Sequence, residues 1–90
     1  MNISVIIPCY NEEHTILKVI RLVHESLKGD EYEIIIVDDA SEDNTTLLIE
    51  EYSRNDEKLE VICHEINSGK GAAIRTGFNT ATGDVVVIQD

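Results

Sequence analysis

Four short apolar runs alternate with three stretches of helical spacing. "ISVIIP" (3–8), "YEIIIVDD" (32–39), "LEVICH" (59–64) and "DVVVIQ" (84–89) are continuous and rich in β-branched residues. Such runs predict strands covered on both faces, because a strand with one wet face would alternate. Between the first two, "NEEHTILKVIRLVHESLKG" carries Ile16, Val19, Ile20, Val23 and Leu27 at helical spacing. Asn11 suits its N-cap, Glu12 and Glu13 its first turn, and Gly29 its stop. "SEDNTTLLIEEYSRN" predicts a second helix, capped by Ser41 or Asp43, with Leu47, Leu48 and Tyr52 as the buried face. "GKGAAIRTGFNTATG" predicts a third, whose Ala72, Ala73 and Gly77 are small enough for close packing on a sheet.

The element order is therefore β-α-β-α-β-α-β. Strands buried on both faces imply a parallel sheet with helices on both faces, joined by right-handed crossovers. The expected fold is a Rossmann-like α/β sheet of four strands in the order 3-2-1-4. Its switch point lies between the first and fourth strands, where open α/β sheets bind ligands. The residues just after the strands would line that crevice: "PCYNEE", "DDAS" and Gln89-Asp90.

Composition narrows the choice of ligand. Ninety residues make one small domain, and the formal net charge is −11. So acidic a chain is not built to bind nucleic acid, which needs clustered Lys and Arg on phosphates. A small anionic ligand would need a divalent cation beside it. Cys9 and Cys63 are too few for a disulfide framework and read as reduced thiols. The three histidines are scattered and make no zinc site. No run approaches the ~20 apolar residues that span a bilayer, and "MNISVIIPCYNEE" lacks the features of a signal peptide. An intracellular protein is expected.

Four short constellations could carry chemistry. In "PCYNEE", Pro8 ends the strand, Tyr10 offers a flat face and a hydroxyl, and Asn11 and Glu12 follow. A plain turn with first-turn acids would look much the same. In "VDDAS", Asp38 and Asp39 are adjacent, so their side chains point oppositely and serve different ends. One would hold the turn or the next helix, and the other could accept hydrogen bonds from a base or ribose. "NSGKGAAIRTG" is glycine-rich and opens a helix, but it fits neither a Walker A loop nor G-x-G-x-x-G. Its Lys70 and Arg75 are two of only seven basic residues. Asp90 follows the fourth strand.

Taken together, "VIIPCYNEE", "EIIIVDDASEDNT", "NSGKGAAIRTGF" and "TGDVVVIQD" resemble the family 2 glycosyltransferases of the GT-A fold, in order and spacing over the whole chain. The nearest subgroup is the dolichyl- or polyprenyl-phosphate mannose and glucose synthases. The resemblance implies that Pro8, Tyr10 and Glu12 line a nucleoside pocket, with Tyr10 against the base. Val37 and Asp39 would hold the base, Asp39 as its hydrogen-bond acceptor. Lys70 and Arg75 match basic positions near the donor. Asp90 matches the first Asp of a D-x-D motif, which reaches the ribose or, through a metal, the diphosphate.

Mg²⁺ or Mn²⁺ is the implied cofactor and a UDP- or GDP-linked sugar the implied donor, with inversion at the anomeric carbon. The acceptor, a lipid phosphate or a glycan, is left open. The second Asp of D-x-D, the catalytic base and the acceptor half are absent from these residues. Residues 1–90 are thus expected to be the N-terminal nucleotide-binding part of a truncated GT-A domain, binding nucleotide weakly and inactive alone. A cytoplasmic setting is implied, with membrane association through later segments open. The competing reading is a non-catalytic flavodoxin-like or receiver-like module. A third reading is self-association of the truncated sheet.

Overall fold

A computed structural model describes all of residues 1–90. Strand β1 (Asn2–Cys9), helix α1 (Ile16–Ser26), β2 (Glu31–Asp38), α2 (Thr45–Ser53), β3 (Leu59–Cys63), α3 (Lys70–Thr80) and β4 (Val85–Ile88) follow in that order. The strands form one parallel sheet in the order β3-β2-β1-β4. The layering follows from handedness. The first two crossovers move the chain the same way across the sheet, and right-handedness puts α1 and α2 on one face. The third crossover returns past β1 to β4, so α3 lies on the other.

Alternation along the strands sorts the core. Val5, Ile7 and Cys9 of β1 and Ile34 and Ile36 of β2 pack with Ile16, Ile20 and Val23 of α1 and Ile49 of α2. Ile35 and Val37 of β2 meet Ala73 of α3 on the opposite face. Each buried Ile or Val is worth about 1.5–3 kcal/mol of transfer free energy. The α3 side is thin because the helix sits close. A Cβ on Gly77 would lie 2.5 Å from Cγ2 of Ile6, a side chain with no exposed surface.

Ser4 and Glu33 anchor β4 to this sheet. The Ser4 hydroxyl donates to Glu33 Oε2 (2.5 Å) and accepts the Gly83 N–H (2.8 Å). Glu33 Oε2 also accepts the Thr82 N–H and hydroxyl. Burial raises the Glu33 pKa, but these donors outweigh it and hold the carboxyl below its usual range. The Asp84 N–H then donates to Asn2 O, and the Gln89 N–H to Ile6 O. The ladder thus carries β4 to Asp90 in register.

Local details depart from expectation at two helix starts: α2 begins at Thr45 with Asn44, not Ser41 or Asp43, at the N-cap position. Helix α1 begins at Ile16 with Thr15 as N-cap, not at Asn11. Asn11 instead takes φ 53°, a left-handed conformation that Asn tolerates, and its side chain serves another loop. In α2 the buried positions are Thr45 and Ile49, with Leu48 and Tyr52 half-buried. Leu47 is 69% exposed, because it lies about 200° around the helix from both buried positions. No helix is long and apolar enough to cross a membrane.

Candidate functional site

The C-terminal ends of β1, β2 and β4 and the start of α3 enclose a cleft of about 170 Å³. Pro8, Tyr10, Glu12, Asp39, Lys70 and Asp90 line it, with Cys9 and Ala73. Six of the eight residues expected at the site therefore converge. Val37 and Arg75 stand outside. The Val37 side chain has no exposed surface and packs under Ala73, because its strand position faces α3. Arg75 is exposed five residues beyond Lys70, about 140° around α3 from it. A larger groove of about 290 Å³ between β4 and α1 is lined by Met1, Ile3, Leu22, Val85 and Val87 among others. It holds no acidic or basic side chain and offers nothing for catalysis.

Two loops are zipped together to present Tyr10. Asn11 Oδ1 accepts the N–H groups of Glu42 (2.8 Å) and Asp43 (3.3 Å). The Asn11 N–H donates to Ser41 Oγ (2.9 Å), and the Glu12 N–H to Thr45 Oγ1 (2.7 Å). Tyr10 is 40% exposed, and its hydroxyl donates to Glu42 Oε1 at 3.2 Å. That acceptor raises the pKa of the phenol. None of this is visible as spacing, since the partners lie about thirty residues apart.

The two adjacent carboxylates divide the work. Asp38 is fully buried and accepts from the Ser41 N–H (3.3 Å), the Ser41 hydroxyl (2.5 Å) and the Thr46 hydroxyl. It fixes the turn after β2 and the start of α2. Asp39, on the α3 face, accepts His64 Nδ1–H (2.8 Å) and the Ser68 N–H (2.9 Å) at Oδ1, and the Gly69 N–H (2.7 Å) at Oδ2. Burial raises its pKa, but the Ser68, His64 and Gly69 donors together outweigh burial and hold it below the usual carboxylate range. A carboxylate offers about four acceptor positions. Three are filled, and the fourth, on Oδ2, remains.

Sequence reading did not single out His64 or Ser68. The one available signal was position: His64 directly follows β3 at the same sheet edge as Asp39. His24 bridges Tyr32 and Asp56 at 2.5 and 2.6 Å, near the start of β2 and away from the cleft.

Across the cleft mouth the Lys70 ammonium pairs with the Asp90 carboxylate. No group of three His, Cys, Asp or Glu side chains is placed to hold a metal ion. Asp90 is one ligand, where a divalent cation takes about six. These residues do not make a cation site by themselves.

The chain is 40% identical to the undecaprenyl-phosphate 4-deoxy-4-formamido-L-arabinose transferase of Proteus mirabilis, over 98% of this chain and 28% of that protein. It thus spans little more than a quarter of that relative's length. Among solved structures, S. aureus TarS 1-349 in complex with UDP-GlcNAc matches 100% of this chain and 26% of its own, with a TM-score of 0.88 at 34% identity. The mannosyltransferase PcManGT from Pyrobaculum calidifontis, in complex with GDP-Man and Mn²⁺, matches 93% of this chain and 25% of its own, with a TM-score of 0.83 at 29% identity. The family model for glycosyl transferase family 2 matches residues 4–90, and the chain belongs to that family.

Proposed function

We propose that this chain is the nucleotide-sugar-binding part of a glycosyltransferase that inverts the anomeric carbon. The observation that carries the reading is the convergence of Tyr10, Asp39, Lys70 and Asp90 on one cleft at the switch point of the sheet. The exposed Tyr10 ring offers a stacking face, and aromatic stacking on a base is worth about 1–3 kcal/mol. The fourth acceptor position of Asp39 suits a ring N–H, which uracil and guanine carry. Lys70 would exchange its Asp90 partner for the diphosphate of the donor. UDP-GlcNAc in TarS and GDP-Man in PcManGT support a donor of this class.

The acceptor proposed is a polyprenyl phosphate, on the name of the Proteus relative. A phosphate acceptor is already anionic and needs no base to deprotonate it. The setting would be cytoplasmic, at a membrane face. Within these ninety residues the cleft carboxylates are engaged: Asp39 by three donors, Asp90 by Lys70, and Glu12 by the Thr15 hydroxyl at 2.9 Å. The chain alone supplies one carboxylate, Asp90, toward a cation that takes about six ligands, so it is expected to bind nucleotide without transferring sugar, and turnover of a UDP- or GDP-sugar by the purified chain would count against that.

Calorimetry with UDP and GDP tests the pocket. Tyr10→Ala should weaken the preferred nucleotide by about tenfold or more. Unchanged affinity would remove Tyr10 from the site.

A further inference from the structure

We infer that His64 is a positioning residue for base selection, acting through Asp39. The inference rests on the cleft being a nucleotide site. Its ground is the count and direction of hydrogen bonds around one carboxylate. The Asp39 torsion next to its carboxylate is intrinsically broad and two-fold. Three donors remove that freedom. Ser68 and Gly69 donate from the backbone ahead of α3. His64 is the only side chain among the three, and it meets Oδ1 at 2.8 Å from the other edge of the carboxylate's surroundings, the end of β3.

The imidazole is itself held at both nitrogens. Nε2 lies 2.8 Å from Thr76 Oγ1, on the second turn of α3. With Nδ1 donating to Asp39, a neutral ring needs Thr76 to donate to Nε2. The Thr76 hydroxyl also lies 3.0 Å from Ala72 O, so it has a second acceptor when the ring is charged and donates from both nitrogens. Either way the ring keeps two partners and stays in plane. His64 is mostly buried, with 17% of its side chain exposed. It is not among the residues that line the cleft, and its side chain is joined to that lining by the hydrogen bond to Asp39.

The consequence falls on base choice. The one acceptor position left on Asp39 Oδ2 accepts a ring N–H. Uracil presents N3–H there. Cytosine presents an unprotonated ring nitrogen at the same place, and two acceptors would face each other. A site built on such a bond rejects the analogue lacking the donor far more strongly than an apolar pocket does. The rejection requires the carboxylate to hold its plane, and the His64 donor is what a substitution can remove.

The test is the ratio of UDP to CDP affinity, measured by calorimetry on the whole chain with the fold checked by circular dichroism. The wild-type chain is expected to favour UDP by about tenfold or more. His64→Leu should collapse the ratio toward one, mainly by loss of UDP affinity. His64→Asn keeps an N–H near the position of Nδ1 and should retain the ratio to within about threefold. Thr76→Val, which leaves Asp39 and His64 in place, should shift the ratio part of the way. A folded His64→Leu chain with an unchanged ratio overturns the inference, as do both affinities falling together at constant ratio. Should His64→Leu not fold, a His64→Asn ratio of one overturns it equally. If wild type shows no preference, or Asp39→Asn leaves the ratio unaltered, the reading of the cleft fails and this inference with it. An Asp39→Asn collapse without a His64 effect removes only His64.

Discussion

Asp38 and Asp39 are adjacent in the chain, yet their carboxylates serve opposite faces of β2. Asp38 closes the turn toward α2 through Ser41 and Thr46, and Asp39 gathers the start of α3 through His64, Ser68 and Gly69. The pleat of a strand enforces this division. It also separates a structural acid from one that keeps an acceptor position for a ligand.

Replacing Asp38 should therefore cost stability and not base selectivity. Asp38→Ala leaves the Ser41 and Thr46 hydroxyls without their buried acceptor, at about 1–3 kcal/mol. Urea unfolding should show a lower midpoint, while any nucleotide preference of the folded fraction stays as it was.

The acid limb of stability should report Asp39 and Glu33. Both carboxyls are held below their usual range when folded. Their contribution is fully present above the unfolded pKa, near pH 4, and is lost as pH falls through the folded values. The unfolding midpoint should drop steadily below about pH 4. Asp39→Asn should lower stability at pH 7 and flatten the slope in the acid window. An unchanged slope would mean that Asp39 is not held as described.

Gly77 should not tolerate a methyl group. Its missing Cβ would come within 2.5 Å of the Ile6 Cγ2, and Ile6 is branched at Cβ and fully buried. Overpacking of this kind costs about 1–3 kcal/mol. Gly71, with open space around its missing Cβ, is the control: Gly71→Ala should be neutral or slightly stabilising in the same denaturation series.

The two thiols should differ in reactivity. Cys9 is buried, and burial first, then Asp38, pushes its pKa up to about 12. Cys63 is exposed, with its pKa raised by burial of its sulfur and by Asp38. A thiol reagent at pH 8 should label one cysteine, Cys63, in the folded chain and both in denaturant. The two pair with the same residue, Asp38, from opposite sides of β2. Two strand spacings, about 9.6 Å, separate them, beyond the ~7 Å reach of a disulfide.

The strand runs and their order were legible because burial on both faces leaves a continuous apolar signature. The placement of α3 followed from handedness alone. Helix starts were less legible. Asn11 looks like a cap by type, but a left-handed backbone turns it toward Glu42 and Asp43, which no local pattern encodes. Leu47 is apolar and exposed, and the small Thr45 takes the buried place. At the site, residues immediately after strands were readable from position. Arg75 lies outside the cleft lining because nearness in sequence is not nearness around a helix. His64 was overlooked because its meaning lies in two contacts, 25 and 12 residues distant.

The central claim is that the cleft of Tyr10, Asp39, Lys70 and Asp90 takes a nucleotide-linked sugar. Titration of the isotope-labelled chain with UDP-GlcNAc, followed by amide chemical shifts, tests it most directly. The account predicts saturable shifts at Tyr10, Asp39, Ser68 to Lys70 and Asp90, with the β4–α1 groove at Leu22 and Val85 unmoved. Shifts confined to that groove, or none at millimolar ligand for both UDP- and GDP-sugars, would contradict it.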